Sequence, residues 1–137
     1  MSIKLLKWIV PCLALLLMPS QLAYSNERPA DPDRLRVLVW NVLHGANDVE
    51  NGPEKALEII RESKADLVLL QESYDIDGDR PKLGAWLAGQ LGWKQWQGES
   101  AHLCVLTRLD IEATFFHHPW HGVGAELKDD LGRRFIA

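Results

Sequence analysis

The chain has 137 residues, with 15 Lys or Arg against 19 Asp or Glu and a formal charge of −4. It has no basic run beyond Arg133-Arg134, so the clustered phosphate contacts of a tight duplex-DNA binder are not visible. Two cysteines, Cys12 and Cys104, exclude a disulfide-dense scaffold.

Lys4 and Lys7 precede an apolar run from Trp8 to Met18, and Ala23-Tyr24-Ser25 then supplies small residues at both positions a signal peptidase reads. The run is shorter than the roughly 20 residues that span a bilayer. Residues 1–25 therefore read as a cleaved secretory signal, and the protein as secreted or periplasmic with no stable membrane anchor. Val10-Pro11 before Cys12 lacks the small residue of a lipoprotein site. The mature chain would begin at Asn26 and hold 137 − 25 = 112 residues, with 13 basic and 19 acidic groups and a charge of −6. Cys104 would be its single cysteine, in the apolar run Leu103-Cys104-Val105-Leu106, where a buried, inert thiol is expected.

Residues 26–34 are polar and proline-bearing, a flexible lead-in to a domain over 35–137. Leu35 to Asn41 is rich in Val and Leu, the pattern of a strand buried on both faces. Ala46 to Pro53 reads as a loop, with Pro53 where a first helical position tolerates it. Glu54 to Ser63 puts Ala56, Leu57, Ile59 and Ile60 on one helical face, so the helix should cover a sheet. Asp66 to Leu70 is a second apolar strand, ending in Gln71 and Glu72. Strand, helix and strand within about 35 residues make a right-handed parallel crossover unit.

Asp75 to Arg80 is an acidic loop, and Leu83 to Leu91 a second helix. The rhythm then changes to short segments, Trp93 to Gln97, His102 to Thr107, Ile111 to Phe116, Gly122 to Lys128 and Arg133 to Ala137. Turns at Gly98-Glu99, Leu109-Asp110 and 129–132 imply antiparallel pairing.

In an open α/β sheet, ligands bind beyond the carboxyl ends of the strands. Asn41 and His44 at the end of one strand and Gln71 and Glu72 at the end of the other are thus candidates for one shared site. Three other groupings carry less. Asp75-Ile76-Asp77-Gly78-Asp79 has its glycine at the fourth position of a calcium loop instead of the sixth, and Trp86 where a bidentate glutamate belongs. His117-His118-Pro119-Trp120-His121 lacks the helical zinc-hydrolase pattern. Trp86, Trp93 and Trp96 read as core and interface aromatics, while Phe115, Phe116 and Trp120 are candidates to line a substrate-facing loop.

The ordered set Trp40-Asn41-Val42 with His44-Gly45, Asp66 to Glu72, and Val105-Leu106-Thr107-Arg108 resembles the opening motifs of the endonuclease/exonuclease/phosphatase superfamily, the DNase I-like metal-dependent phosphoesterases. The resemblance implies an α/β fold of α+β type, the first half of a four-layer αββα sandwich. It implies that Glu72 binds a divalent metal, Mg²⁺ or Mn²⁺, that Asn41 positions the metal or the scissile phosphate, and that both, with His44, belong to the catalytic set. The chemistry suits these residue types: Mg²⁺ takes one or two carboxylates, waters and substrate phosphate oxygens. Asn41 adds polarity there without charge. Gln71 is expected to brace Glu72 or the Asn41 loop.

Metal-assisted hydrolysis also needs groups that handle the attacking water and the transition-state charge. In the family these come from an Asp-x-Asn motif and a late Ser-Asp-His segment, neither of which occurs among these residues. The family domain runs to roughly 250 residues, a length single domains reach. The sequence therefore reads as an N-terminal fragment of an exported metal-dependent phosphoesterase, with a catalytically inactive remnant or binding module as the alternative. Export and acidity favour a small or lipid phosphoester over duplex DNA.

Overall fold

The computed structural model describes residues 33–77, 82–98, 102–118 and 122–137. The expected signal segment and most of the lead-in lie outside them. Strand β1 is Val37–Asn41, helix α1 Gly52–Ser63, strand β2 Leu67–Gln71, helix α2 Leu83–Leu91, and strands β3 to β7 are Lys94–Trp96, Leu103–Thr107, Asp110–His118, Gly122–Lys128 and Arg134–Ile136. Two sheets form, one in the order β1-β2-β4-β3 and one in the order β5-β6-β7. β1 and β2 run parallel, as the crossover pattern requires, and the remaining pairings are antiparallel.

Alternation along β2 explains the layering. Val68 and Leu70 point to one face, where they join Ile60, Leu83, Leu87 and Leu106 in a core beneath the two helices. Leu67 points the other way and meets Val105, Ala125 and Leu127 in a second core between the sheets. Helices, first sheet and second sheet are thus three stacked layers, a mixed α/β fold. Each fully buried Leu or Ile side chain in these cores contributes about 1.5–3 kcal/mol.

Two sequence expectations change here. The both-faces-buried pattern belongs to β2, not β1. β1 is an edge strand whose Val37 and Val39 are 48% and 62% exposed. Their partners Leu67 and Leu69 face the second sheet, which does not extend far enough to cover β1. In α1, Ala56, Leu57 and Ile60 are buried as expected, but Ile59 is half-exposed at 44%.

Helix α1 starts with Pro53 in its first turn and stops where Lys64 turns left-handed at φ 53° and returns its N–H to Arg61. The far end of the sheet is closed by the Thr107-Arg108 motif. The Thr107 hydroxyl donates to the Asp66 carbonyl at 2.8 Å and accepts from Leu109 N. Arg108 donates to the Ala65 carbonyl, and its Nε lies 3.5 Å from the buried Asp66 carboxylate. That motif secures the sheet at the end opposite the candidate site. Trp86 and Trp93 pack on the helical core and Trp96 on the inter-sheet core.

Candidate functional site

Parallel register brings the two strand ends level, with Asn41 opposite Gln71. One further ladder bond, Val42 N to Gln71 O at 3.1 Å, carries the pairing past the strand ends. The chain then leaves β2 at Glu72, directly beside Asn41. The Asn41 amide donates to Glu72 Oε1 at 2.9 Å across 31 residues of sequence, and its carbonyl oxygen accepts from Leu43 N at 2.9 Å.

The backbone around this pair is held in a conformation side chains normally avoid. Leu43, His44, Gly45 and Ala46 have φ of 50°, 46°, 68° and 64°, and Glu72 has φ 57°. A left-handed backbone costs a non-glycine residue about 1–2 kcal/mol, and such strain gathers at sites where the surroundings over-determine it. Those surroundings are specific. His44 N donates to Glu72 Oε2 at 3.2 Å, and Gly45 N to the Glu72 carbonyl at 2.7 Å. The same carbonyl accepts Tyr74 N at 2.9 Å. Gly45 is needed here, because a Cβ would sit 3.1 Å from the carbonyls of both Tyr74 and Asp75 and φ is already left-handed. Asn47 ties the turn down further, donating to the carbonyls of His44 and Asp75 and accepting Asp77 N.

The result is a fixed, ionised carboxylate facing solvent. The Asn41 amide above all, then the His44 N–H, hold the Glu72 carboxyl below its ordinary value of 4.5, against an upward push from burial. The His44 and His102 imidazoles act in the same direction. Each Glu72 oxygen accepts one of these hydrogen bonds and keeps a lone pair for another partner.

His44 and Glu72 are joined by residues the sequence did not single out. His44 Nδ1 lies 2.8 Å from Asp48 Oδ2, with both side chains more than half exposed. A carboxylate only accepts, so Nδ1 carries the hydrogen and Nε2 is the ring's remaining polar atom. The four-residue spacing of His44 and Asp48 was the available signal. On the other flank, the Tyr74 hydroxyl and His102 Nδ1 share a hydrogen bond of 2.8 Å, with ring centroids 5.4 Å apart. His102 immediately precedes β4, and its carbonyl accepts Ser73 N. Nothing local in the sequence links those two; only the pairing of β2 with β4 does. Gln71 contributes its backbone carbonyl, while its side chain lines a hollow with Leu69, Leu103 and Val123. Phe115 and Phe116 are half-exposed on β5, and Pro119 to His121 lie outside the described residues.

The donor set fits a water-rich magnesium site. It offers one ionised carboxylate, an amide and an open solvent side, and Mg²⁺ is typically bound in that way. Among the described residues no group of three or more His, Cys, Asp or Glu forms a cage of the kind zinc or calcium favours. Cys104 takes no part: it is buried beneath α2, and burial pushes its thiol up to about 12.

Comparison with known proteins adds three findings. Human nocturnin's catalytic domain, solved with bound sulfate, matches with a TM-score of 0.49 and 17% identity over 74% of this chain and 48% of that one. The protein nucleotidyltransferase YdiU of Anoxybacillus flavithermus is 33% identical over 97 residues, which is 66% of this chain and 20% of YdiU. This chain thus spans about half of the nocturnin domain and a fifth of YdiU. The sequence model of the Endonuclease/Exonuclease/phosphatase family matches residues 38–135, a span that includes Asn41, His44 and Glu72. The chain belongs to the endonuclease/exonuclease/phosphatase family.

Proposed function

We propose that these residues are the metal- and phosphate-binding part of an exported, divalent-metal-dependent phosphoesterase that hydrolyses phosphodiester or phosphomonoester bonds. The observation that carries this is Glu72 itself: a strained residue whose ionised carboxylate is aimed outward by Asn41 and the 43–46 turn. A glutamate that merely ended a strand would gain nothing from that strain.

Glu72 would hold Mg²⁺ or Mn²⁺, with Asn41 fixing the carboxylate and offering the remaining lone pair of its carbonyl oxygen. When bound, the ion supplies Lewis acidity toward a phosphoryl oxygen and lowers the pKa of a bound water. The chain's own residues do the positioning. Asn41 and His44 N keep the Glu72 carboxylate charged and oriented. Asp48 fixes the His44 ring, which places Nε2 for a hydrogen bond to a substrate phosphate oxygen or to water. The Asp-x-Asn and Ser-Asp-His groups that would complete the family's chemistry are not among these 137 residues. In a second reading these residues bind a metal and a phosphate without turnover.

The test is a ¹⁵N NMR titration of the purified protein with MgCl₂, paired with an assay of a generic phosphodiester. Saturable shifts at the amides of residues 42–46, abolished in Glu72→Gln, are expected. A protein whose amides ignore Mg²⁺ sinks the metal reading. EDTA-sensitive turnover lost in Glu72→Gln decides for the enzyme, and saturable Mg²⁺ binding without turnover decides for the binding module. N-terminal sequencing of exported protein should start at Asn26.

A further inference from the structure

Behind the turn that clamps Glu72 lies a cavity of about 200 Å³, between α1, the edge strand β1 and the 43–49 loop. Leu43, Val49 and Ile59, which are 51%, 54% and 44% exposed, converge on it, with Trp40 as a further wall. Two charged side chains line it, Asp48 and Lys55, of opposite sign, so the cavity selects no net charge. An enclosed apolar cavity of about 150 Å³ accepts a benzene-sized guest, and this hollow, open to solvent on one side, is of comparable size. A sugar or nucleobase placed here would give up its hydrogen bonds with water for few in return. An apolar chain loses nothing by entering.

The cavity is also connected to the candidate site. Asp48 lines it and at the same time holds His44 Nδ1, while Leu43, another wall, donates its N–H to Asn41. A single molecule can therefore place an uncharged tail in the cavity and an anionic head beside His44 and Glu72. The turn between them is fixed by hydrogen bonds, so the two subsites hold a constant separation.

We propose that this cavity binds the linear aliphatic chain of a phosphoester, which makes the substrate class alkyl or lipid-like phosphate esters. Its assignment to the substrate rests on the phosphoesterase reading; the binding of an aliphatic chain does not. At about 30 Å³ for a water-sized unit, the volume admits on the order of six carbons.

The test titrates the purified protein, in saturating MgCl₂, with n-alkyl phosphates from ethyl to octyl, and with the matching n-alcohols, following the amides of Val49 and Ile59. Affinity should rise about fourfold for each methylene up to roughly hexyl and then level. Val49→Glu, at an exposed position, and Ala56→Leu, which fills the cavity, should each reduce that dependence to less than about twofold per series. A flat series in the parent protein overturns the proposal. So does a slope retained in Val49→Glu, or tighter binding of phenyl phosphate than of hexyl phosphate. If alcohols show the slope while inorganic phosphate never shifts residues 42–46, the chain site stands and the phosphoesterase reading falls.

Discussion

Replacing Gly52 by alanine should weaken the protein, although alanine is the better helix former by about 0.5–1 kcal/mol. Gly52 opens α1 against the turn that carries the candidate site. A Cβ there would lie 1.7 Å from the Ala46 carbonyl oxygen and 2.9 Å from its carbon. Real Cβ contacts essentially never fall under 3.0 Å, so helix and turn must part by at least 3.0 − 1.7 = 1.3 Å. The obstacle is backbone, and no side-chain rotation relieves it. Overpacking of this kind costs about 1–3 kcal/mol, which exceeds the propensity gain. At about 4–8 °C per kcal/mol for a domain of this size, Gly52→Ala should melt roughly 5–15 °C below the parent. Gly89, in α2, is the control, since nothing lies within 4 Å of the Cβ it lacks. Gly89→Ala should gain about 0.5–1 kcal/mol and melt several degrees higher. The effect should also reach function. Gly45, next to Ala46, holds the Glu72 carbonyl, so parting helix and turn should displace the proposed Mg²⁺ ligand and weaken Mg²⁺ binding. Calorimetry with an Mg²⁺ titration of both variants checks this. Gly52→Ala melting at or above the parent would refute the steric reasoning outright.

Glu72 has a lowered pKa, so its grip on Asn41 and His44 is complete above the ordinary value of 4.5 and is lost as pH falls through the lower folded value. An NMR pH titration of the His44 amide should therefore have its midpoint below 4.5, and Asn41→Ala should move it upward. A midpoint unchanged by Asn41→Ala would remove the side-chain hydrogen bond as the cause. Cys104, with its thiol pushed up to about 12, should resist an aromatic disulfide reagent at pH 8 until urea unfolds the chain; rapid native labelling would contradict its burial. Arg108→Ala leaves the Asp66 carboxylate buried without that partner and should cost about 3 kcal/mol in chemical denaturation, with Mg²⁺ binding unaffected. Exposed Val37, Val39, Phe115, Phe116 and Ile136 should make the purified protein self-associate; sedimentation showing a pure monomer at high concentration would count against that.

Much of the architecture was written in local patterns. The α2 span Leu83–Leu91 and the β6 span Gly122–Lys128 follow directly from apolar periodicity and turn residues. So does the placement of Asn41 beside Glu72, because a short crossover leaves a parallel partner few other registers. The exposure of β1 was not legible, because an apolar strand looks the same whether or not a second layer reaches it. Position in the sheet, a property of the whole fold, decided that. The site's strain was equally hidden: Leu43, His44 and Ala46 are residues that ordinarily avoid positive φ, and only the contacts from Glu72 and Asn47 put them there. Asp48 was readable in principle from its spacing to His44, and the Tyr74–His102 pair was not.

The uncovered flank of β1 also sets how the protein should behave as a colloid. Its apolar strip is offset by an acidic surface whose mutual repulsion acts over about 10 Å at 0.1 M ionic strength and only about 3 Å at 1 M. Raising the salt removes the repulsion but leaves the strip, so concentrated or salted-out samples meet edge to edge first. Dilute, low-salt handling keeps Val37 and Val39 apart from their counterparts on other molecules, and Val39→Lys would blunt the edge by replacing part of the strip with a group that is costly to bury.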